Sequence, residues 1–188
     1  ITLANNTSYE INGTIVLGTD RIVTGVSNII YGVDKSDDVL VYTGTASAMI
    51  TSTNQDLSIN KVTLVSSGTT SECFNLTGSG TNRTEISECI IANSTKIGSI
   101  LGGFATITFR NNLCVGNSGG LSVTGTNDDL FITDNLFEGF LGAATAVSIQ
   151  GTVTYHTILI SRNMWEIGAT QTGLDLDPNT TFTGGGLI

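Results

Sequence analysis

Charge is what this chain has least of. Asp, Glu, Lys and Arg make up 12% of its 188 residues, about half of what an ordinary globular domain carries. The basic share is the smaller: seven Lys and Arg against sixteen Asp and Glu, for a net charge of −9. Proteins that hold nucleic acid neutralise phosphates with clustered cations, so nucleic acid is excluded as a partner. No apolar run reaches the about 20 residues of a membrane-spanning helix, and no signal peptide is recognisable, so membrane insertion is not expected. Proline and histidine occur once each. No segment carries a sustained 3.6-residue apolar stripe with capping residues, which leaves little room for helix. The three cysteines, Cys73, Cys89 and Cys114, lack the Cys-x-x-Cys spacing of a zinc site. Neither a metal nor a cofactor is expected. The thiols read as small buried core residues, consistent with folding in a reducing cytoplasm.

What is present is glycine, 23 residues, with Thr, Ser, Asn and Ile, a mixture that suits short strands and tight turns. One short pattern recurs. Phe109-Arg-Asn-Asn-Leu-Cys114, Ile132-Thr-Asp-Asn-Leu-Phe137 and Ile160-Ser-Arg-Asn-Met-Trp165 each place Asn three positions after an apolar anchor, followed by two apolar residues. Ile59-Asn-Lys-Val-Thr-Leu64 and Ile86-Ser-Glu-Cys-Ile-Ile91 are degenerate copies. From Ile59 through Ile86, Phe109 and Ile132 to Ile160 the steps are 27, 23, 23 and 28 residues. A second column, Leu76, Ile100, Val123, Ile149 and Leu176, steps by 24, 23, 26 and 27. Its members sit in alternating segments, for which Val39–Val41, Phe74–Leu76, Leu121–Val123, Ala146–Ile149 and Leu174–Leu176 are read as equivalents, several closed by glycine.

A unit of this length cannot bury its own apolar face and must stack on its neighbours. The expected fold is all-β: a right-handed, single-stranded parallel β-helix with three short strands per coil and 23–28 residues per coil. Five to six coils would make a rod about 25–30 Å long. Asn112, Asn135 and Asn163 should form a ladder at one corner. Asn tolerates the left-handed conformation that a corner needs, and its amide can bond to the coil above.

Carboxylates carry the catalytic expectation. A glycosidase needs two of them about 5–9 Å apart, and neighbouring coils stack about 4.8 Å apart. Glu138 and Glu166, each six positions after its anchor, meet that requirement, with Asp134 nearby. A polar outer face carrying acids without catalysis is the simpler account of all three, and no aromatic platform for a sugar is evident. Gly116-Asn-Ser-Gly-Gly120 has the form of a nucleophile elbow around Ser118, but a glycine-rich corner offers no helix or His partner. Asp175-Leu-Asp-Pro-Asn179 resembles the opening of a calcium loop and lacks its Gly and Glu, which are Thr180 and Gly186 here. Thr-x-Thr at 51–53, 106–108 and 152–154 would need constant spacing to form an ice-binding rank and lacks it.

The run Tyr9-Glu-Ile-Asn-Gly-Thr-Ile-Val-Leu-Gly-Thr-Asp-Arg-Ile-Val23, then Tyr31 to Gly44, leads into Met49-Ile-Thr-Ser-Thr and Leu57-Ser-Ile-Asn-Lys-Val-Thr-Leu64. Over residues 9–67 this resembles the β-helical virion proteins of bacteriophages, of the tail-spike, fibre or capsid-attached kind. The resemblance implies a homotrimer in contact with other virion proteins, on the virion surface, where host surface polysaccharide is a possible ligand. It carries no catalytic residue over.

Residues 1–45 are expected to open and cap the solenoid, 46–170 to form its coils, and 171–188 to begin a further coil that continues beyond Ile188. The functional expectation is a non-enzymatic structural or receptor-binding protein of a virus particle. The alternatives are a depolymerase or lyase using Glu138, Glu166 and Asp134, and a bacterial surface adhesin, extracellular or on a cell surface.

Overall fold

The computed structural model describes residues 1–142, 144–151, 154–182 and 186–187; Thr152 and Ile188, cited above, lie outside them. Those residues form a right-handed parallel β-solenoid of about seven coils, with three strands per turn and no helix. Each coil places one strand in each of three sheets. The first sheet has eight strands, from Ser8–Ile11 to Gly186–Leu187. The second has seven, from Thr14–Gly18 to Met164–Glu166, and the third has seven, from Ile22–Val23 to Thr172–Leu176. A two-stranded sheet, Thr154–Tyr155 with Thr181–Phe182, stands outside the stack.

Two expectations are corrected. The coils number seven rather than five to six, so eight stacked strands span about 34 Å at one pitch per coil. The first two coils escape the sequence pattern because the ladder position holds Gly13 in the first and, after an inserted loop, Asp38 in the second. Residues 1–45 accordingly contribute strands to all three sheets. Val39–Val41 belongs to the second sheet, paired with Thr14–Val16 and Thr63–Val65, and not with Phe74–Leu76 in the third.

The anchors do stack in register. Ile59, Ile86, Phe109, Ile132 and Ile160 face inward one above the other, and Ile30 and Tyr9 continue the column downward. Leu76, Ile100, Val123, Ile149 and Leu176 form the matching inward column of the third sheet. The second sheet contributes Leu40, Leu64, Ile91, Cys114, Phe137 and Trp165. Stacking extends to the rings: Phe137 lies 4.7 Å from Trp165 with 7° between planes, and 6.3 Å from Phe109. Gly98 is required because a Cβ there would fall 2.2 Å from the ring of Phe74 on the coil below.

Corners are where a solenoid has to satisfy backbone groups that no strand reaches. Asn135 Oδ1 accepts from the N–H of Asn112 (3.0 Å) and from its Nδ2 (3.1 Å). Asn135 Nδ2 donates to Phe109 O and to Asn163 Oδ1, both at 2.9 Å. Asn112 repeats this one coil down, accepting from the N–H of Cys89 at 3.0 Å and donating to Ile86 O at 2.9 Å. The left-handed residue is not the ladder Asn but the one before it. Lys61, Glu88, Asn111, Asp134 and Arg162 all have φ between 54° and 59°, which turns the chain so that the next side chain points inward under the corner.

Asp38 holds the ladder position two coils below Cys89. Its carboxylate accepts from Gly13 N–H at 2.8 Å, Val33 N–H at 2.7 Å and Asp34 N–H at 2.8 Å. Two further corners have their own polar fillers. Asn117 accepts from Ser94 N–H (3.0 Å) and donates to Ile91 O (2.9 Å), while Asn127 accepts from Phe104 N–H (2.9 Å) and donates to Gly125 O (2.9 Å).

Replacing Asn135 with Leu leaves several buried groups without partners, each costing about 1–3 kcal/mol. A loss of about 3 kcal/mol in unfolding free energy is expected by urea denaturation; a change inside about 0.5 kcal/mol would contradict the ladder's role. The amides of Asp34, then Gly13 and Val33, hold the Asp38 carboxyl below the usual carboxylate range, against a smaller opposing effect of burial. A depressed carboxylate adds stability above its unfolded pKa of about 3.9 and loses it as pH falls through the lower folded value. Asp38→Asn is therefore expected to flatten the acid limb of the stability curve below pH about 4. An acid limb as steep as in the parent would refute this.

Candidate functional site

The sequence-predicted carboxylates divide. Glu138 and Glu166 stand directly opposite each other on neighbouring strands, Leu136–Glu138 and Met164–Glu166, and point outward. One strand pitch, about 4.8 Å, separates their backbones. Asp134 does not join them. It sits on the preceding corner, gripped in a two-point contact by Arg162, with Nε to Oδ1 at 2.5 Å and Nη2 to Oδ2 at 2.7 Å. The Arg162 hydrogen bond is the main reason its carboxyl lies below the usual range, so Asp134 is a poor proton donor. The outward neighbour below Glu138 is Val115, and no cation partners the two glutamates among the described residues.

Ser118 is exposed at the corner between the second and third sheets, its N–H bonded to Ser94 O at 2.9 Å. His156 lies at the corner between the third and first sheets, so the two do not form a pair. Asp177 closes a turn on itself, accepting from Asn179 N–H (2.8 Å) and Nδ2 (3.0 Å) and from Gly151 N–H (3.1 Å). Among the described residues no group of three His, Cys, Asp or Glu side chains is placed to hold a metal. Thr51 and Thr53 belong to the third sheet while Thr106 and Thr108 belong to the first, so they share no rank.

Concavity is found on the first sheet. A cleft of about 400 Å³ is lined by Ser27, Ile29, Asp56, Ser58, Arg83, Glu85, Thr106 and Thr108. An adjoining cleft of about 550 Å³ is lined by Arg83, Thr106, Thr126, Asp128, Asp129 and His156. They share Arg83 and Thr106 and run along the rod from the second coil to the seventh, about 24 Å at five strand pitches. Asp56 Oδ1 accepts from Arg83 N–H at 2.9 Å. Glu85 is held by Arg110 Nη2 at 2.8 Å, and His156 Nδ1 lies 3.6 Å from Asp129 Oδ1. The Arg83 guanidinium makes no ion pair among the described residues and faces solvent. Beside Thr108 the outward column continues to a half-buried Phe131 and Leu159. The groove thus offers carboxylates, hydroxyls, one open cation and a nearby ring, a set suited to a chain of hydroxyl groups.

Sequence spacing missed this groove, because Arg83 stands at the edge of a strand while Asp128 and His156 come from corner segments of unequal length. Also missed is a clip on the third sheet. Glu72 is buried and accepts from Asn75 Nδ2 and Ser99 Oγ, both at 2.6 Å, with Lys96 Nζ 3.3 Å away. Lys96 Nζ also donates to Ser99 Oγ at 2.6 Å, so the clip ties the coil of Glu72 to the coil above it.

All three cysteines are buried and unbridged. Burial pushes the thiols of Cys73 and Cys89 up to about 12 and raises that of Cys114 as well. The thiolate is the reactive species, so native protein is expected to show no reaction with a thiol reagent at pH 8 and full reaction of all three in denaturant. Rapid labelling of any one in the native state would contradict this burial.

No family model matches the chain, and neither a curated protein nor a solved structure does.

Proposed function

We propose that this chain is a structural, receptor-binding rod carried on the surface of a virus particle, and that it acts without catalysis. The observation that carries the reading is the groove of the first sheet, which bears hydroxyl, carboxylate and guanidinium groups and is open along about five strand pitches. An elongated groove with hydroxyl, carboxylate and guanidinium groups fits an extended, hydroxyl-rich polymer such as a host surface polysaccharide. The resemblance over residues 9–67 supports placing the rod on a phage particle, as a homotrimer. A fold alone does not decide function, which is why the groove and not the solenoid bears the weight.

A depolymerase is the second reading, and one observation favours it: Glu138 and Glu166 are in register on adjacent coils. Against it, Asp134 is committed to Arg162, and the two glutamates stand beside Val115 and Met164 instead of in the groove. A bacterial surface adhesin would use the same groove for binding.

Incubation with host capsule polysaccharide or lipopolysaccharide separates these readings, with binding and polymer length both measured. Saturable binding is expected, weakened about tenfold by Arg83→Ala, with no shortening of the polymer. Shortening that disappears in a Glu138→Gln, Glu166→Gln double variant would install the depolymerase instead.

A further inference from the structure

The clip on the third sheet holds reactive groups as well as hydrogen bonds. Glu72 and Asn75 lie on the strand Glu72–Ser79 of the third coil, and Lys96 and Ser99 on the strand Lys96–Gly103 of the fourth. Register sets the arrangement. Lys96 stands opposite Glu72 and Ser99 opposite Asn75, each about 4.8 Å away at one strand pitch. The Lys96 side chain runs along its own strand to Ser99, with Nζ 2.6 Å from Oγ, and so reaches the residue directly above Asn75.

The Glu72 side chain is only 8% exposed, and its two oxygens face different groups. Oε1 accepts from Asn75 Nδ2 at 2.6 Å. Oε2 lies 3.3 Å from Lys96 Nζ and accepts from Ser99 Oγ at 2.6 Å. One buried carboxylate thus touches an amine with one oxygen and a primary amide nitrogen with the other. As a stabilising device this is a poor choice, because desolvation offsets much of the attraction in a buried ion pair. As chemistry it assembles a nucleophile, an electrophile and a proton carrier. The other lysine–glutamate pair, Lys61 with Glu88, is 4.0 Å apart, 50% and 45% exposed, and has no amide bonded to its carboxylate among the described residues.

We propose that Lys96 and Asn75 join in an intramolecular isopeptide bond between the third and fourth coils, with Glu72 as the catalytic proton carrier. Glu72 takes one proton from the Lys96 ammonium, which frees the Nζ lone pair. Nζ attacks Asn75 Cγ, and a C–N bond forms as the carbonyl becomes tetrahedral. Glu72 then hands its proton to Nδ2 and takes a second one from Nζ. The Cγ–Nδ2 bond breaks, the carbonyl re-forms, and ammonia leaves, collecting the last proton from Glu72. In sum one ammonium and one carboxamide become one secondary amide and one ammonium ion, and Glu72 ends as the carboxylate it began. No oxidant or cofactor enters the balance.

The fold supplies what the reaction needs. Stacking holds amine and amide within one molecule, which replaces a bimolecular encounter by a positioned one, and a placed carboxylate provides general acid–base transfer. The product closes the loop of residues 75–96 covalently, where hydrogen bonds otherwise hold the two strands, and so restricts the unfolded chain. It is independent of what the groove binds.

Mass spectrometry of the purified chain tests this. The parent is expected to weigh one ammonia less than its sequence. Trypsin should release residues 62–83 joined to 84–110, since a modified Lys96 is no longer cleaved. Asn75→Asp should form the same bond with loss of one water. Lys96→Arg and Glu72→Gln should keep the full sequence mass with a parent-like circular dichroism spectrum. A parent that yields 62–83 and 84–96 as separate peptides would overturn the proposal, even with one ammonia missing, because a succinimide loses ammonia without joining them. Joined peptides in folded Glu72→Gln would overturn the role of Glu72. The parent's own digest decides the bond even where a variant fails to fold.

Discussion

Every coil must lie one strand pitch above the last, and the rest of the molecule follows from that. In a parallel stack, each residue meets its counterpart about 4.8 Å away, so whatever one coil carries at a position is doubled by the next. Apolar residues gain from this, as in Phe109, Phe137 and Trp165. Charges do not, because like charges placed opposite one another repel. The chain responds with few charges and with opposite signs where they meet: Lys61 over Glu88 and Asp134 over Arg162 at stacked corners, and Glu85 with Arg110 on a diagonal. The thin charge in the composition is thus a consequence of the architecture. Corners obey the same rule, since an unpaired amide there recurs in every coil unless a side chain such as Asn112 or Asn117 spans the step.

Inward positions were legible in the sequence for this reason. Ile59 to Ile160 and Leu76 to Leu176 repeat because the core demands similar residues at each level, and repetition is what a period detects. The first two coils were not legible. Asp38 serves there as the corner acceptor through three backbone amides, and a loop of unlike length hides the step. The left-handed position was misplaced by one residue, since Lys, Glu, Asn, Asp and Arg all occupy it and share no chemistry that marks it. Of the site, Glu138 and Glu166 could be paired by counting. That Asp134 is consumed by Arg162 could not, because side-chain geometry and not spacing decides it.

Outward positions are under weaker stacking constraint, and there the three faces have diverged. The groove takes Arg83 and Asp56 from the edges of strands and Asp128 and His156 from corners. Such residues need not repeat, so no periodic search finds them. The outward face of the second sheet is a different case. It is largely apolar, with Thr14 and Thr63 among its valines, leucines and isoleucine, and it lies beside a core column that is also repetitive and apolar. A run such as Val39-Leu-Val-Tyr42 therefore reads as one buried strand when Leu40 and Tyr42 are buried and Val39 and Val41 lie half-buried on the outer face.

Glu138 and Glu166 are the place where the stacking rule is broken: two carboxylates in register with no cation between them among the described residues. Like charges so placed cost stability, and the core gains nothing from them because both point away from it. Both lie on the outer face, Glu138 half-buried and Glu166 exposed, where solvent and its ions screen the repulsion that a core position would leave at full strength.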